Sequence, residues 1–129
     1  MAKTALEITP EERVGYCVRA AIERRQAATG SQVQERWQKA HVLARQAAHL
    51  LHDKFGARRV LLFGSALRRP WFTPWSDIDL AVLGLPPERF YTAVTAVTGL
   101  SDEICIDLVD PEQCSQTLRI VIEREGVEL

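Results

Sequence analysis

Two periodicities divide the chain. Up to Phe55 apolar residues recur every three to four positions, the spacing of amphipathic helices. From Val60 onward they come in short continuous or alternating runs, the spacing of strands. A first helix is announced by Thr9-Pro10-Glu11-Glu12, where Thr9 suits the cap, Pro10 the first helical position and Glu12 the capping-box carboxylate. Val14, Cys17, Val18 and Ala21 follow at helical spacing, and Gly30 ends the run. A second helix is predicted from Ser31, with Gln34 as capping-box partner and Val33, Trp37, Ala40, Ala44, Ala47, Leu51 and Phe55 as its apolar stripe, up to Gly56. Residues 1–56 therefore read as a helical hairpin or bent pair. His41, Arg45, His49 and His52 fall opposite the stripe. His49 and His52 stand at a spacing that could share a metal, but the pattern fits a solvated polar face better.

After Gly56 the elements alternate. Val60-Leu61-Leu62-Phe63 predicts a buried strand that turns at Gly64-Ser65. The two prolines of residues 69–76 make that stretch a loop. Strand character resumes at Asp77-Ile78-Asp79-Leu80-Ala81-Val82-Leu83 and stops at Gly84. Pro86-Pro87 opens a helix to about Thr98, and Ile104–Val109 is a third strand. Asp110-Pro111 is expected to cap a last helix reaching Glu125. The fold class is α+β, a small mixed sheet flanked by helices. One domain over 1–129 is expected, with a helical extension (1–56) packed on a β-containing core (57–129).

Composition changes this picture little. Apolar residues make up 47% of the chain, enough for a real core. No run is long enough to cross a membrane, and the N-terminus lacks a signal peptide's apolar stretch, so a cytoplasmic location is expected. Cys17, Cys105 and Cys114 form no paired motif, which suggests reduced thiols rather than a zinc site or a disulfide frame. A net charge of −1 argues against direct nucleic-acid binding through bulk electrostatics. The thirteen arginines against three lysines suit bidentate binding of phosphate or carboxylate.

The candidate chemistry lies on the strands. Asp77 and Asp79 project from one face, with Ile78 and Leu80 directed into the core. Two carboxylates so close require either a shared proton or a divalent cation, and hard oxygen ligands favour Mg2+ or Mn2+. On the third strand Ile104, Ile106 and Leu108 share a face, leaving Asp107 on the other. If the two strands are neighbours, the three carboxylates can converge. Asp110 comes a residue too late and reads as a cap. Gly64-Ser65, after a buried strand, offers backbone N–H groups and a hydroxyl to an anion.

A buried strand, Gly-Ser, eleven residues, Asp-x-Asp inside a second strand, then a third strand with a central Asp resembles the nucleotidyltransferase superfamily with the DNA polymerase β fold. The stretch LLFGSALRRPWFTPWSDIDLAVLG looks like the version carried by the minimal nucleotidyltransferases (MNT), and the resemblance covers about residues 57–129. It implies that Gly64 and Ser65 bind triphosphate, that Asp77, Asp79 and Asp107 are both the catalytic residues and the metal ligands, and that Arg68 occupies a basic position near the nucleotide. Two departures are visible. Arg69 stands where the family usually has glycine, and the spacer is longer and more aromatic. The implied reaction uses two Mg2+ ions to transfer AMP from ATP to a hydroxyl.

The acceptor is less defined. The chain has little material for a separate acceptor domain, whereas MNT proteins are known as antitoxins paired with HEPN ribonuclease toxins, some of which they AMPylate on a tyrosine. The resemblance therefore implies a HEPN-type partner. The alternatives are a small-molecule, aminoglycoside-like nucleotidyltransferase and a non-catalytic antitoxin that neutralises by binding. Trp71, Phe72 and Trp75 suit three readings: interface anchors, an adenine-stacking surface, or rings simply folded back over the core. Arg36-x4-His41 mimics the R-x4-H pattern of the HEPN nucleases, but two helices are too few for that domain, so the match reads as coincidence. The N-terminal helices are candidates for homo-oligomer formation.

Overall fold

A computed structural model describes residues 30–129, so the expected first helix and Cys17 lie outside the described residues. Helix α1 (Gly30–Phe55) is followed by strand β1 (Arg59–Phe63), a 3₁₀ turn at Gly64–Leu67 and a second at Arg69–Trp71. Strand β2 (Ile78–Leu83), helix α2 (Pro87–Thr98) and strand β3 (Ile106–Val109) form a βαβ unit. Helix α3 (Gln116–Glu125) and the two-residue strand β4 (Val127–Glu128) close the chain.

The four strands lie in the order β3-β2-β1-β4. β1 is antiparallel to both β2 and β4, whereas β2 and β3 are parallel. The mixed sheet follows from the connections. The loop between β1 and β2 permits an antiparallel return, while the helix between β2 and β3 permits a parallel crossover.

Period-two alternation then sorts the side chains onto two faces. On one face Val60, Leu62, Ile78, Leu80, Val82, Ile106 and Leu108 pack against Ala40, Leu43, Ala44, Ala47 and Leu51 of α1 and Ala93 and Val97 of α2. Leu51 is completely buried, a transfer worth roughly 2–3 kcal/mol. The opposite face is smaller: Leu61, Phe63 and Ala81 meet Ile122 of α3, with Leu118 at its margin. The odd-numbered residues of β2 and β3, Asp79 and Asp107 among them, belong to this second face.

Several local expectations need correction. The last helix begins at Gln116, not at Asp110-Pro111. Ser115 is its cap and accepts from Leu118 N–H. Asp110 instead caps a turn, its Oδ1 taking the Glu112 N–H at 2.9 Å. Both residues carry the short side-chain acceptor a cap needs, and the intervening Pro111–Cys114 turns hold the helix back by five positions. β3 starts at Ile106, because Ser101 Oγ accepts from Glu103 and Ile104 N–H and turns the chain there. The brief β4 was not anticipated, since two exposed residues carry no periodicity. Cys114 is a free, half-buried thiol, whereas Cys105 is disulfide-bonded, against the expectation of reduced thiols throughout. No helix among the described residues is long and apolar enough to cross a membrane.

The polar face of α1 also differs from a plain solvated surface. His49 is exposed and pairs with Asp53 at 2.8 Å. His52 Nδ1, however, donates to the Ala57 carbonyl at 2.9 Å, and His41 Nε2 donates to the Ala66 carbonyl at 2.9 Å. The loop between β1 and β2 climbs the flank of α1 and supplies the second of those acceptors.

Candidate active site

The predicted residues meet at one end of the sheet. In the parallel β2–β3 register Asp79 is paired directly with Asp107, so their side chains leave neighbouring strands on the same face, with backbones about 4.8 Å apart. Asp77 is two residues upstream of Asp79 and shares its side of the strand by alternation. The antiparallel β1–β2 register sets Phe63 opposite Asp79. The chain therefore enters Gly64-Ser65 directly alongside the carboxylates.

Gly64 makes that approach possible in two ways. Its φ is +79°, a left-handed conformation that disfavours any side chain. A Cβ built there would also overlap Asp79 Oδ2. The turn and the carboxylate are thus in van der Waals contact through a position that only glycine fits. Gly64–Leu67 is a 3₁₀ turn whose preceding residue, Phe63, offers no side-chain acceptor to the turn's first N–H groups. Ser65 is half-buried within it, and Ala66 is buried.

The electrostatics mark the same spot. The Asp79 carboxyl is pushed up from 3.8 to about 6, first by burial, then by the negative charges of Asp107 and Asp77. All three carboxylates therefore interact, and the charged form of Asp79 is disfavoured in the metal-free protein. Among the described residues no three His, Cys, Asp or Glu side chains are already close enough together to hold a metal ion. The donor set is nonetheless the right one. Three carboxylates at one sheet end, one of them raised in pKa by burial and then by its neighbours, suit a divalent cation, provided the side chains rotate toward a common point. His49 and His52 do not make an alternative centre, since each is engaged as described above.

The spacer between the glycine turn and Asp77 is ordered by its own contacts. Thr73 and Ser76 exchange a backbone bond at 3.1 Å and a hydroxyl contact at 2.8 Å, and Ser76 Oγ also accepts from Thr73 N–H. Phe72 is buried and meets the Trp37 ring edge-on at 5.3 Å, so of the three aromatics it is the one folded back over the core. Trp71 and Trp75 remain 46% and 41% exposed. Arg68 is exposed, with its guanidinium 4.7 Å from the Trp71 ring centroid.

Comparison with known proteins gives the family and the fold. Residues 45–129 match the family model described as polymerase beta, nucleotidyltransferase. The chain belongs to the polymerase β nucleotidyltransferase family. The family match covers every strand, the glycine turn and all three aspartates. A chain of the solved toxin–antitoxin complex MntA–HepT has a similar fold, with a TM-score of 0.50 and 23% identity over 68% of this chain and 69% of that one. No functionally curated protein is similar enough to match this nucleotidyltransferase domain.

Sequence reasoning missed two residues that the structure ties to the site. Arg36 is 7% exposed in spite of its charge. Its guanidinium donates to the Ser76 carbonyl at 2.8 Å and to the Glu103 carbonyl at 3.1 Å. His41 holds the glycine turn through Ala66, as noted. Both were visible as the R-x4-H pair, but nothing in the helical pattern tells which backbone segment will lie against them.

Proposed function

We propose that this chain is a Mg2+-dependent nucleotidyltransferase that transfers AMP from ATP to a tyrosine hydroxyl of a HEPN-type toxin, as the antitoxin of a toxin–antitoxin pair. The observation that carries the transferase reading is the juxtaposition of the left-handed Gly64 with Asp79, and of Asp79 with Asp107, at one sheet end. A phosphate-binding turn and a carboxylate cluster in contact are what phosphoryl chemistry requires. The antitoxin reading draws on the fold shared with the MntA–HepT complex and on the resemblance to the minimal nucleotidyltransferases.

In this mechanism the backbone N–H groups of Gly64 and Ser65, with the Ser65 hydroxyl, receive the triphosphate, and Arg68 adds positive charge at the rim. Asp77, Asp79 and Asp107 would hold the divalent cations, which when bound would supply charge neutralisation at the acceptor hydroxyl and at the departing pyrophosphate. The acceptor oxygen attacks the α-phosphorus in line, and the bond from that phosphorus to the bridging oxygen breaks. Pyrophosphate leaves while the hydroxyl proton passes to a carboxylate or to solvent. A bound cation would favour the ionised form of Asp79, the form that burial and its neighbours disfavour without it. Trp71 and Trp75, exposed beside this site, suit contact with the partner protein.

The test is incubation with ATP labelled on the α-phosphate, Mg2+ and the product of the adjacent reading frame, provided that product is a HEPN-type toxin. Label is expected on a toxin tyrosine and is lost in Asp77→Ala and Asp79→Ala. Label on an aminoglycoside-like molecule without the toxin points to a small-molecule transferase. Neutralisation that survives both substitutions, with no label transferred, shows a binding-only antitoxin and refutes the catalytic reading.

A further inference from the structure

Helix α1 looks, from its later half, like a support for the sheet: Ala44, Ala47, Leu51 and Phe55 pack under the strands. Its first half does something different. Between Gln34 and His41 four side chains, those of Gln34, Arg36, Trp37 and His41, reach the loop from Gly64 to Asp77 or the entrance to β3. Gln34 Oε1 accepts from Arg69 Nε at 2.8 Å. Arg36 donates to the carbonyls of Ser76 and Glu103. Trp37 meets Phe72 edge-on and lies against His41 in a tilted contact with ring centroids 4.2 Å apart. His41 donates to Ala66. Ser76 immediately precedes Asp77, and Ala66 lies in the turn that begins at Gly64.

We infer that Arg36 and His41 are positioning residues for the active site: Arg36 sets the carboxylate strands, and His41 sets the phosphate turn. The inference rests on the proposed nucleotidyl transfer, and it assigns the site two supports outside the matched region 45–129.

The chemistry of each contact fits its task. A guanidinium carries five N–H donors in one rigid plane and so can donate to two separate carbonyls at once. It therefore ties the residue before Asp77 to the segment leading into the Asp107 strand. Those segments are also joined by the Ile78 N–H to the Cys105 carbonyl at 2.9 Å, so Arg36 closes a bracket around the start of the β2–β3 pair. Burying a charged group without such partners would cost several kcal/mol, which accounts for both carbonyls being turned toward it. His41 acts on a different part. The Ala66 carbonyl can only accept, so Nε2 must carry the proton, and the imidazole fixes the carbonyl side of the turn while the turn's N–H groups remain for phosphate.

Because the two contacts lie on different segments, their loss has different signatures, which a general weakening of the fold would not produce. Amide exchange on the intact chain reads them directly, with Arg36→Met, Arg36→Lys, His41→Leu and His41→Gln, and His49→Gln as an exposed control on the same helix. His41→Leu is expected to speed exchange about tenfold in 64–67 alone, and Arg36→Met by a similar factor in 76–79 and 103–107. His41→Gln keeps a donor of similar reach and restores protection, whereas Arg36→Lys restores only one of its two segments. In transfer assays His41→Leu raises the KM for Mg·ATP about tenfold with kcat little changed. Arg36→Met lowers kcat and raises the Mg2+ concentration giving half-maximal rate. Exchange that rises uniformly, or in neither segment, overturns the assignment. So does an active wild type whose variants share its KM, kcat and Mg2+ requirement. A wild type without transferase activity refutes the proposed function, while the exchange pattern still decides whether the two residues hold these loops.

Discussion

Asp79→Asn should stabilise the metal-free protein at neutral pH while abolishing transfer. The Asp79 carboxyl is raised from 3.8 to about 6 by burial and by the charges of Asp107 and Asp77. At about 1.4 kcal/mol per pH unit, that rise corresponds to a penalty of roughly 3 kcal/mol for keeping the group ionised in the folded state. The sign follows from linkage. Between pH 3.8 and about 6 the folded protein holds a proton on Asp79 that the unfolded chain has released, so stability falls as pH rises through that window. Asparagine has nearly the same shape and no charge, and it escapes the penalty. Side-chain relaxation and water recover part of it, leaving an expected gain of about 1–3 kcal/mol above pH 7 and none below pH 4. For a chain of this size the gain corresponds to a Tm rise of roughly 5–10 °C. Thermal unfolding of both proteins in chelator at pH 4 and pH 8 measures it. Added Mg2+ should raise the wild-type Tm and leave Asp79→Asn unmoved, since only the former offers the full carboxylate set. An Asn variant less stable than wild type at pH 8, or equally stabilised at both pH values, would refute the electrostatic account.

Two further substitutions test the geometry around that carboxylate. Gly64→Ala is expected to lose at least 1–2 kcal/mol from the left-handed backbone alone and to push the Asp79 side chain away. Transfer should therefore fall much more than the shift in urea midpoint explains. Phe72→Ala removes a buried ring from the loop's contact with Trp37 and should cost about 3 kcal/mol in urea unfolding. Protease cleavage should then rise within 68–76 before the rest of the chain opens.

Much of the site was legible because strands have a short period. Once Asp77, Asp79 and Asp107 lie in apolar runs that alternate, the faces they share are decided, and Ile78, Leu80, Ile106 and Leu108 go to the core with them on the other side. What alternation leaves open is adjacency. Whether β3 pairs with β2 or lies at the far edge depends on the crossover helix α2, and the one-to-one pairing of Asp79 with Asp107 depends on register. The family resemblance supplied that neighbourhood, and the sheet order agrees with it. Local capping was harder to read. Asp110 and Ser115 carry equally good cap chemistry, and the choice between them is made by how many residues the chain needs to pass from β3 to the site where α3 lies on Leu61 and Phe63.

The helix before the sheet shows a different limit of sequence reading. Its apolar stripe predicted correctly that Ala40, Ala44, Ala47, Leu51 and Phe55 would be buried. Opposite that stripe, a histidine at helical spacing is equally suited to solvent and to a carbonyl brought there by another segment. The choice for His41 is made by the loop from Gly64 to Ser76, whose path is fixed by Phe72 going under Trp37 and by the Thr73–Ser76 turn. Arg36 is the stronger case. A charged residue inside an alanine-rich stripe looks misplaced by hydropathy alone, and it becomes intelligible only when two strand-entry carbonyls converge on it. A polar residue that breaks an apolar face at a position the helix must bury is thus a pointer to backbone that something else requires to be fixed. In this protein the backbone so held leads straight to Asp77 on one side and toward Asp107 on the other.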